Sequence, residues 1–497
     1  MGSQQSDNII RYIFYVGWFL CFLIYNFCMR PIFFLLHLLL SRDPASRLQN
    51  SLQKSGKTKR KVAIVGSGVS GLAAAYALKK GGKHDFTVFE AQEELGGHAY
   101  SFEYKGPDGS KRGVDVGFIF GHYFSYAQIL EIYNELGIEL TESAIDLSVN
   151  YHGEKWATDL NGFDVSQEEE REVDRFNRLA GEFKDCPALN LLPFGLYCSL
   201  FNFSDKFCEK FVTPSLCTLF ISKTGLYRQS ARFMLNMFAG PNRFVDLRHG
   251  TRTWVVKNGS RNSVQKLAQF LGKENLRVNT PVESVERGDG KVNVVTSDGG
   301  SETFDDVILC CHVPQTKKIL KGQNWIERLI FNLVRYHPVD GILHTDDSVL
   351  PEDKRLHRHF NYWQEKKMDK KTFELTGRMS AIFKHLDDSN PLLYTLCPHR
   401  KIEESKILLK STWYHQVQDI QHLVVTRALV PMIQGLGNVW HGNSWVLWLG
   451  HSGAYDAGMA VAAAMGGGYH MRSSEANRIF GESCMDMFGP TFKYSSF

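Results

Sequence analysis

The chain has 497 residues, enough for two or three domains with sizeable cores, and 22% of its residues are charged. A formal net charge of +4 is too small to indicate a nucleic-acid-binding protein. The ten cysteines are scattered without CxxC spacing and indicate neither a zinc site nor a disulfide framework. We therefore expect free thiols and no metal.

The N-terminal region carries a membrane signal. Residues 12–29 are eighteen positions without a charge, close to the ~20 residues that cross a bilayer. Arg30 and Pro31 interrupt this run, and residues 32–40 are again apolar. The pattern predicts a membrane anchor, either a single span or a re-entrant hairpin, with a cleaved signal peptide as the alternative. Basic residues in the following linker predict a cytosolic catalytic domain.

A glycine-rich turn lies between two predicted strands at residues 61–90. A buried-strand pattern over 62–65 runs into the turn and then a helical pattern, and a second strand over 86–89 ends on Glu90. The turn residues are Gly66, Ser67, Gly68, Val69, Ser70 and Gly71. The first glycine suits a tight turn, the second admits a pyrophosphate, and the third lets the helix pack closely. Glu90 suits the ribose hydroxyls, so a dinucleotide site is favoured over a purely structural turn.

The residues after Glu90 indicate which dinucleotide binds. Glu90, Ala91, Gly96, Gly97 and His98 resemble the E-x(5)-G-G-[RH] extension of FAD enzymes in the amine oxidase and phytoene desaturase superfamily. The resemblance implies FAD as the cofactor, bound by these residues. Asp115 and Gly117 fit a later acid-x-Gly segment that runs beside the isoalloxazine in that superfamily. A turn or capping role for Asp115 is the alternative.

The middle of the chain alternates between helical and strand patterns. Residues 164–248 show a helical, apolar pattern that is rich in aromatics. This pattern predicts a helical core and, more specifically, a cap that lines an apolar tunnel. Residues 279–285 resemble the N-T-P-V-x-x-V strand of flavoprotein oxidoreductases, whose final valine hydrogen-bonds adenine through its backbone. Val282, the first valine of this motif, is among the predicted cofactor-binding residues.

Further motifs narrow the resemblance to one family. Residues 341–346, 360–362 and 391–398 resemble its V-L-H-T-D, W-N-Y and P-L-x-V-T-L-N-P segments, and Gly442, His451 and Gly458 fit its C-terminal flavin block. The chain thus resembles the flavin amine oxidase-like FAD/NAD(P)-binding proteins, in the branch associated with cyclopropane-fatty-acid synthases. Two departures are Asn258 in place of the first glycine of G-G-S, and 451–454, which loses both acids of H-E-D-G.

The resemblance implies an α/β fold combined with α+β. It comprises a Rossmann-type, glutathione-reductase-like FAD-binding domain and a substrate domain of mixed sheet with a helical cap, preceded by the N-terminal membrane helix. The predicted boundaries are an anchor at 1–44, a basic linker at 45–60, FAD-binding parts at 61–160, 251–320 and 434–475, a helical cap at 161–250, a substrate domain at 321–433 and a tail at 476–497.

These features predict a membrane-anchored, FAD-dependent oxidoreductase that dehydrogenates a lipid-like or other apolar substrate by hydride transfer to flavin N5. His451 and His344 are the predicted catalytic residues, although direct hydride loss needs no general base. The alternatives are an amine oxidase using O₂ and a flavin-binding pseudo-enzyme, the latter suggested by the lost acids. The dense histidine cluster at 357–359 is more typical of an exposed surface strand than of a metal site.

Overall fold

A computed structural model describes residues 59–106, 108–159, 163–223, 225–239, 243–369, 371–387, 391–448, 450–468 and 471–489. The predicted anchor and nearly all of the basic linker lie outside these ranges. Within them, no helix is both long and apolar enough to cross a bilayer. The predicted membrane localisation is corrected by this finding, whereas the predicted membrane helix falls on residues outside these ranges and stays a prediction.

The chain forms two compact units. The glycine-turn unit comprises the described residues up to Leu140, Val255–Tyr336, and the residues from Val424 onward. The seven-stranded unit comprises Thr141–Trp254 and His337–Leu423. Each unit is built from segments that are distant in sequence.

Twenty strands occur in the described residues. In chain order they are β1 (Arg60–Val65), β2 (His84–Phe89), β3 (Ser101–Lys105), β4 (Lys111–Asp115), β5 (Gly121–His122), β6 (Leu140–Ile145), β7 (Leu147–Tyr151), β8 (Glu154–Ala157), β9 (Thr251–Val256), β10 (Leu276–Arg277), β11 (Val282–Arg287), β12 (Val292–Thr296), β13 (Ser301–Phe304), β14 (Asp306–Leu309), β15 (Tyr336–His344), β16 (Phe360–Gln364), β17 (Glu374–Arg378), β18 (Leu393–Leu396), β19 (Ile407–Gln416) and β20 (Val439–His441).

The same ranges contain fifteen α-helices. They are α1 (Val69–Gly81), α2 (Ala127–Glu135), α3 (Gln167–Phe183), α4 (Phe194–Leu200), α5 (Asp205–Phe207), α6 (Thr213–Phe220), α7 (Ala231–Phe238), α8 (Arg261–Leu271), α9 (Val313–Ile319), α10 (Trp325–Leu333), α11 (Met379–Ile382), α12 (Ile420–Val424), α13 (Val430–Ile433), α14 (His451–Ala464) and α15 (Ser474–Phe488). Two π-helical turns span Cys208–Val212 and Val425–Leu429. Short 3₁₀ turns span Pro187–Asn190, Leu226–Arg228, Lys273–Asn275, Asp347–Val349, Lys354–Leu356, Glu404–Lys406 and Ser444–Val446.

A five-stranded parallel sheet organises the glycine-turn unit. Its order is β10-β2-β1-β14-β20, and every pairing is parallel. Val62, Ala63 and Ile64 of the central strand are fully buried, which explains the continuous apolar run in the sequence. The same unit also contains an antiparallel β11-β12-β13 sheet and the β3-β4 hairpin. The predicted Rossmann-type architecture is therefore present.

The seven-stranded unit combines a mixed sheet with helices. The sheet order is β19-β15-β18-β17-β16-β7-β8, in which β16 and β7 pair in parallel. The helix α3 begins with a capping box between Ser166 and Glu169. Phe176 of α3 packs against four other buried phenylalanines, at Phe194, Phe203, Phe207 and Phe238. These aromatics form a helical core, and the apolar tunnel remains a prediction.

Two helices of the glycine-turn unit, α1 and α14, pack in close backbone contact. A Cβ atom added to Gly458 in α14 would lie 1.9 Å from the carbonyl oxygen of Ser70 in α1. Real Cβ atoms do not approach backbone so closely, so the two helices must separate if this glycine is replaced. By contrast, a Cβ atom added to Gly481 in α15 meets nothing within 4 Å.

We predict opposite effects for alanine at these two helical glycines. Gly458→Ala should lower the free energy of unfolding by about 1–3 kcal/mol or more, because α14 is forced away from α1. Gly481→Ala should raise it by about 0.5–1 kcal/mol, because alanine favours helix and nothing is displaced. Urea denaturation of both variants checks this, and equal effects would contradict the close-packing explanation.

Candidate functional site

The glycine-rich turn connects β1 to α1 through backbone contacts that only glycine allows. Gly66 has φ of +100°, outside the range that other L-residues readily adopt. A Cβ atom added to Gly71 would lie 2.0 Å from the carbonyl oxygen of Gly66. The turn is therefore tight because the helix begins directly against the strand end, as the sequence predicted.

The second glycine pair runs alongside this turn. Gly96 bridges to Gly68 in parallel, and its N–H donates to the carbonyl of Ser67 at 3.1 Å. A Cβ atom added to Gly97 would lie 3.2 Å from the Gly68 Cα atom, whereas one added to Gly68 meets nothing within 4 Å. Two glycine segments thus leave open space above Gly68 at the amino end of α1.

The start of α1 suits an anion. No side chain among the described residues caps this helix end, and its first turn contains no acidic residue. Backbone N–H groups and the helix dipole therefore remain available to a negatively charged group. Together with the open space at Gly68, this arrangement fits the diphosphate of a dinucleotide.

Glu90 is held firmly at the end of β2. Its Oε2 atom accepts hydrogen bonds from the Ser67 N–H at 2.9 Å and the Ser67 hydroxyl at 2.5 Å. Its Oε1 atom accepts the Gln92 N–H at 2.9 Å. The carboxylate is thereby oriented beside the turn, and Ala91 next to it is exposed. This geometry fits the predicted ribose contact.

Asp115 is hydrogen-bonded to residues from two other segments of the glycine-turn unit. Its buried carboxylate accepts the Ser101 hydroxyl at 2.5 Å and both the N–H and the hydroxyl of Ser260 at 2.8 Å. Burial raises the pKa of Asp115 to about 7. Because Ser260 precedes α8, the carboxylate acts as a cap there, which matches the capping alternative. Its contact with a flavin ring stays a prediction.

The segment after Asp115 lies close to the second glycine pair. A Cβ atom added to Gly117 would lie 2.2 Å from the His98 carbonyl oxygen, and the Phe118 N–H donates to that oxygen at 2.8 Å. The His98 ring meets His312 edge-on with ring centroids 5.5 Å apart, and His312 stacks on Tyr336 at 4.9 Å. Neither His312 nor Tyr336 was predicted as a site residue from the sequence.

His451, the first residue of α14, lies in an aromatic environment. Its ring stacks on Phe118 with centroids 3.8 Å apart, and its Nε2 atom lies 3.2 Å from the Tyr133 hydroxyl. Tyr133 in turn donates to the Ser263 hydroxyl at 3.4 Å. Burial lowers the pKa of His451 to about 3, so the imidazole is neutral near pH 7. Tyr133 and Phe118 were missed because each looked like an ordinary apolar position.

His344 belongs to the seven-stranded unit and is fully buried. Its Nδ1 atom accepts the Asp346 N–H at 3.1 Å, and its Nε2 atom lies 2.8 Å from the Thr395 hydroxyl oxygen. Both ring nitrogens are thus engaged by protein groups, and burial lowers its pKa to about 4. These contacts suit a structural histidine, and its catalytic role stays a prediction.

The remaining predicted residues have packing roles that the structure makes visible. Gly442 follows β20 and donates its N–H to the Leu309 carbonyl at 3.0 Å, while Gly458 packs on α1. Val282 begins β11. Across the described ranges, no group of three or more histidine, cysteine, aspartate or glutamate side chains could hold a metal ion.

Comparisons with known proteins identify the fold and family. Residues 69–367 match the model of the flavin containing amine oxidoreductase family. The structure resembles a CLA-producing fatty acid isomerase from P. acnes, with a TM-score of 0.63 and 17% identity over 80% of this chain and 96% of that one. It also resembles wild-type putrescine oxidase, with a TM-score of 0.60 and 15% identity over 82% and 98%. At these identities the likeness establishes the fold alone.

Curated relatives match over short segments. Tryptophan 2-monooxygenase of Pantoea agglomerans pv. gypsophilae is 51% identical over 47 residues, 10% of this chain and 8% of the relative. The polyenoic fatty acid isomerase of Ptilota filicina is 46% identical over 43 residues, 9% of each chain. The chain thus spans less than a tenth of the length of these relatives in each match.

We predict that Gly68→Ala will separate folding from cofactor binding. The added methyl group meets no protein atom but occupies the space predicted for the diphosphate, so FAD affinity should fall by about tenfold or more, or about 1.4 kcal/mol. Flavin retention on gel filtration and the melting temperature of the apoprotein measure the two effects. Gly181→Ala in α3, where a Cβ also meets nothing within 4 Å, is the control. Unchanged FAD affinity would contradict this site.

A second buried histidine of the glycine-turn unit has a ring without hydrogen bonds to the described residues. The His441 ring at the end of β20 lies between Phe331 and Trp445, with centroids 5.7 and 5.5 Å away. Neither ring nitrogen has a hydrogen-bond partner among the described residues. Burial, and then the charge of Arg287, lowers the pKa of His441 to about 3.

We predict that His441→Phe will reduce acid sensitivity. Between the ordinary histidine pKa of 6.5 and about 3, the unfolded chain binds a proton at this residue that the folded chain does not. Stability is therefore lost as pH falls through that window, by about 1.4 kcal/mol per pH unit for this group. The variant should lose this part of the slope and gain about 1 kcal/mol at pH 7. Urea unfolding from pH 7 to pH 4 measures both, and parallel curves would refute the assignment.

Proposed function

The chain belongs to the flavin-containing amine oxidoreductase family and is an FAD-dependent oxidoreductase, and from that premise we propose that it oxidises an apolar, lipid-like substrate. Two independent comparisons support this substrate class. A fatty acid isomerase is among the similar folds, and a polyenoic fatty acid isomerase is among the local sequence matches.

The predicted cofactor residues have distinct tasks under this proposal. The Gly66–Gly71 turn and the Gly96–Gly97 pair bind the diphosphate through backbone groups, and Glu90 binds the ribose. When bound, FAD supplies a centre that accepts a hydride equivalent. Phe118 and Tyr133 hold His451 in a fixed plane, which lets a neutral imidazole orient a neighbouring group without exchanging a proton near pH 7.

A neutral His451 supports a reaction that begins with direct hydride loss from carbon. A general base is most effective when its pKa lies near the working pH, and a value of about 3 is far below that. An apolar C–H substrate offers no acidic proton to remove at that pH. Both features therefore favour hydride removal over proton abstraction by this residue, in which case the electron-deficient carbon would either regain the hydride at another position or lose a neighbouring proton to solvent.

The test uses purified full-length protein loaded with FAD and kept free of oxygen. We expect linoleate to reduce the flavin, seen as loss of its visible absorbance, or to return as a conjugated isomer. Putrescine should have neither effect. Reduction by putrescine, with peroxide released on adding oxygen, would favour the amine oxidase alternative. Flavin that no donor reduces would favour the pseudo-enzyme alternative. His451→Gln, which keeps a hydrogen-bonding group, should retain more turnover than His451→Phe.

A further inference from the structure

The surface formed by α9 and α10 carries exposed cations and two exposed apolar side chains. Both helices belong to the glycine-turn unit. Trp325 and Leu329 are 66% and 41% exposed, and their spacing of four residues puts them on one face of α10. The cations exposed on the two helices and in the turn between them are Lys317, Lys318, Lys321 and Arg328. These six residues define the α9–α10 surface.

The acid in the same segment does not cancel the positive charge of this surface. Glu327 is the only acidic residue between positions 313 and 335, and it is fully buried. Its carboxylate is bound by Arg287, from Nη1 at 3.3 Å and also from Nη2, so this ion pair is internal. Lys317 donates to the side-chain oxygen of Asn332 at 2.7 Å, which is a neutral acceptor. The lysine therefore keeps its charge at the surface.

Hydrogen bonds within the segment fix the backbone that presents Trp325. Asn324 caps α10, since its Oδ1 atom accepts the Glu327 N–H at 2.9 Å. The Glu327 carboxylate accepts the Asn324 N–H at 2.9 Å in return, which completes a capping box. The Gln323 amide donates to the Leu320 carbonyl at 2.9 Å and so ties the turn to the end of α9. An anchor held in this way loses little conformational freedom when a partner binds.

The helix α9 begins at the edge of the sheet where the glycine turn lies. It follows β14, which pairs in parallel with β1, so the amino end of α9 and the glycine turn share that edge. The Val313 N–H at the start of α9 donates to the Tyr336 hydroxyl at 3.3 Å, and Tyr336 stacks on His312. His312 in turn meets the ring of His98, which follows the second glycine pair. The first lysine of the surface is four residues, or about 6 Å, further along α9.

A protein fits this surface better than a lipid bilayer does. A helix that lies in a bilayer interface needs a broad apolar face, whereas α10 buries Ile330 and Phe331 in its own unit and leaves a narrow exposed pair. Exposed tryptophan and arginine side chains are typical hot spots of protein interfaces. Cations around such an anchor attract a partner of opposite charge and set its orientation. Charge complementarity therefore selects an acidic protein.

We propose that the α9–α10 surface docks a small acidic electron-carrier protein that reoxidises the reduced cofactor. An FAD-dependent oxidoreductase has to pass on the two electrons that it takes from each substrate molecule. Two carrier molecules each accept one electron, and the two protons of the reduced cofactor pass to solvent. Transient electron-transfer complexes bury less than about 1,200 Å², so a small surface is enough. The inference rests on the flavin site of the proposed function and goes beyond its substrate class.

The binding test is isothermal titration of the full-length, FAD-loaded protein with oxidised cytochrome b5, a small acidic haem protein, and with cytochrome c, a basic one. We expect the acidic protein to bind and the basic one not to bind, with an affinity that falls as salt is raised. Trp325→Ala should weaken binding by about 10- to 30-fold, because the apolar anchor is lost. Tyr414→Ala is the matched control, because that aromatic side chain is 55% exposed on β19, outside this surface.

A second measurement follows the electron transfer itself. Protein that is reduced with dithionite, freed of the excess and mixed without oxygen with oxidised cytochrome b5 should reduce the haem, seen in its visible absorbance. Lys318→Glu combined with Lys321→Glu should slow this step by about tenfold or more at low salt, because the acidic partner is no longer steered. Lys367→Glu reverses a lysine that is 81% exposed outside this surface, and it should leave the rate unchanged.

Several outcomes would overturn this assignment of the surface. Equal binding of both cytochromes, or unchanged binding and rates in the Trp325 and lysine variants, would remove the docking role. Binding to phosphatidylserine vesicles that Trp325→Ala abolishes, without binding of cytochrome b5, would assign the surface to lipid, and a dimer that Trp325→Ala dissociates would assign it to a second copy. Linoleate oxidation by a protein that does not bind cytochrome b5 would keep the proposed function and reject the surface. Carrier binding and reduction by a protein that linoleate does not reduce would keep the surface and reject the proposed substrate class.

Discussion

The glycine-turn unit depends on backbone-to-backbone contact at the carboxyl edge of its parallel sheet. Gly71 lies directly against the carbonyl of Gly66, and Gly458 of α14 lies directly against the carbonyl of Ser70. These contacts place the amino end of α1 against the end of β1 and leave no room for side chains there. The Gly96–Gly97 pair follows the same surface, and among the glycines of these two segments only Gly68 would hold a Cβ atom with nothing within 4 Å. Close packing thus creates the space that a diphosphate needs.

Three buried histidines of this protein share a lowered pKa. His441 and His451 have pKa values lowered to about 3, and His344 to about 4, in each case chiefly because the charged ring would lose water. They differ in hydrogen bonding, since His344 has two partners, whereas neither ring nitrogen of His441 has a partner among the described residues. Under the proposed hydride transfer, a neutral imidazole at His451 would have no proton to exchange in the same step.

Local sequence predicted the parts of this fold that rest on short-range geometry. The strand, the turn, the helix and the acid over residues 61–90 could be predicted from the sequence. Each glycine, apolar and acidic position there meets a single physical requirement of the turn. The roles of Asp115 and Gly458 depend on Ser260 and Ser70, which are distant in sequence, so spacing alone left their roles open. Tyr133 and Phe118 looked like core residues, since only the fold brings them to His451. The predicted anchor lies outside the described residues, and within those residues no helix is both long and apolar enough to cross a bilayer.

Hydrogen-bond satisfaction differs among the buried polar residues of this chain. His344 was predicted to be catalytic from its motif; its ring is fully buried and both nitrogens are engaged within the protein, which suits a structural histidine, and the catalytic role stays a prediction. Arg358 looked like part of a surface cluster, yet its guanidinium is largely buried and its Nε has no acceptor among the described residues. A folded chain tolerates such a group at a cost in stability.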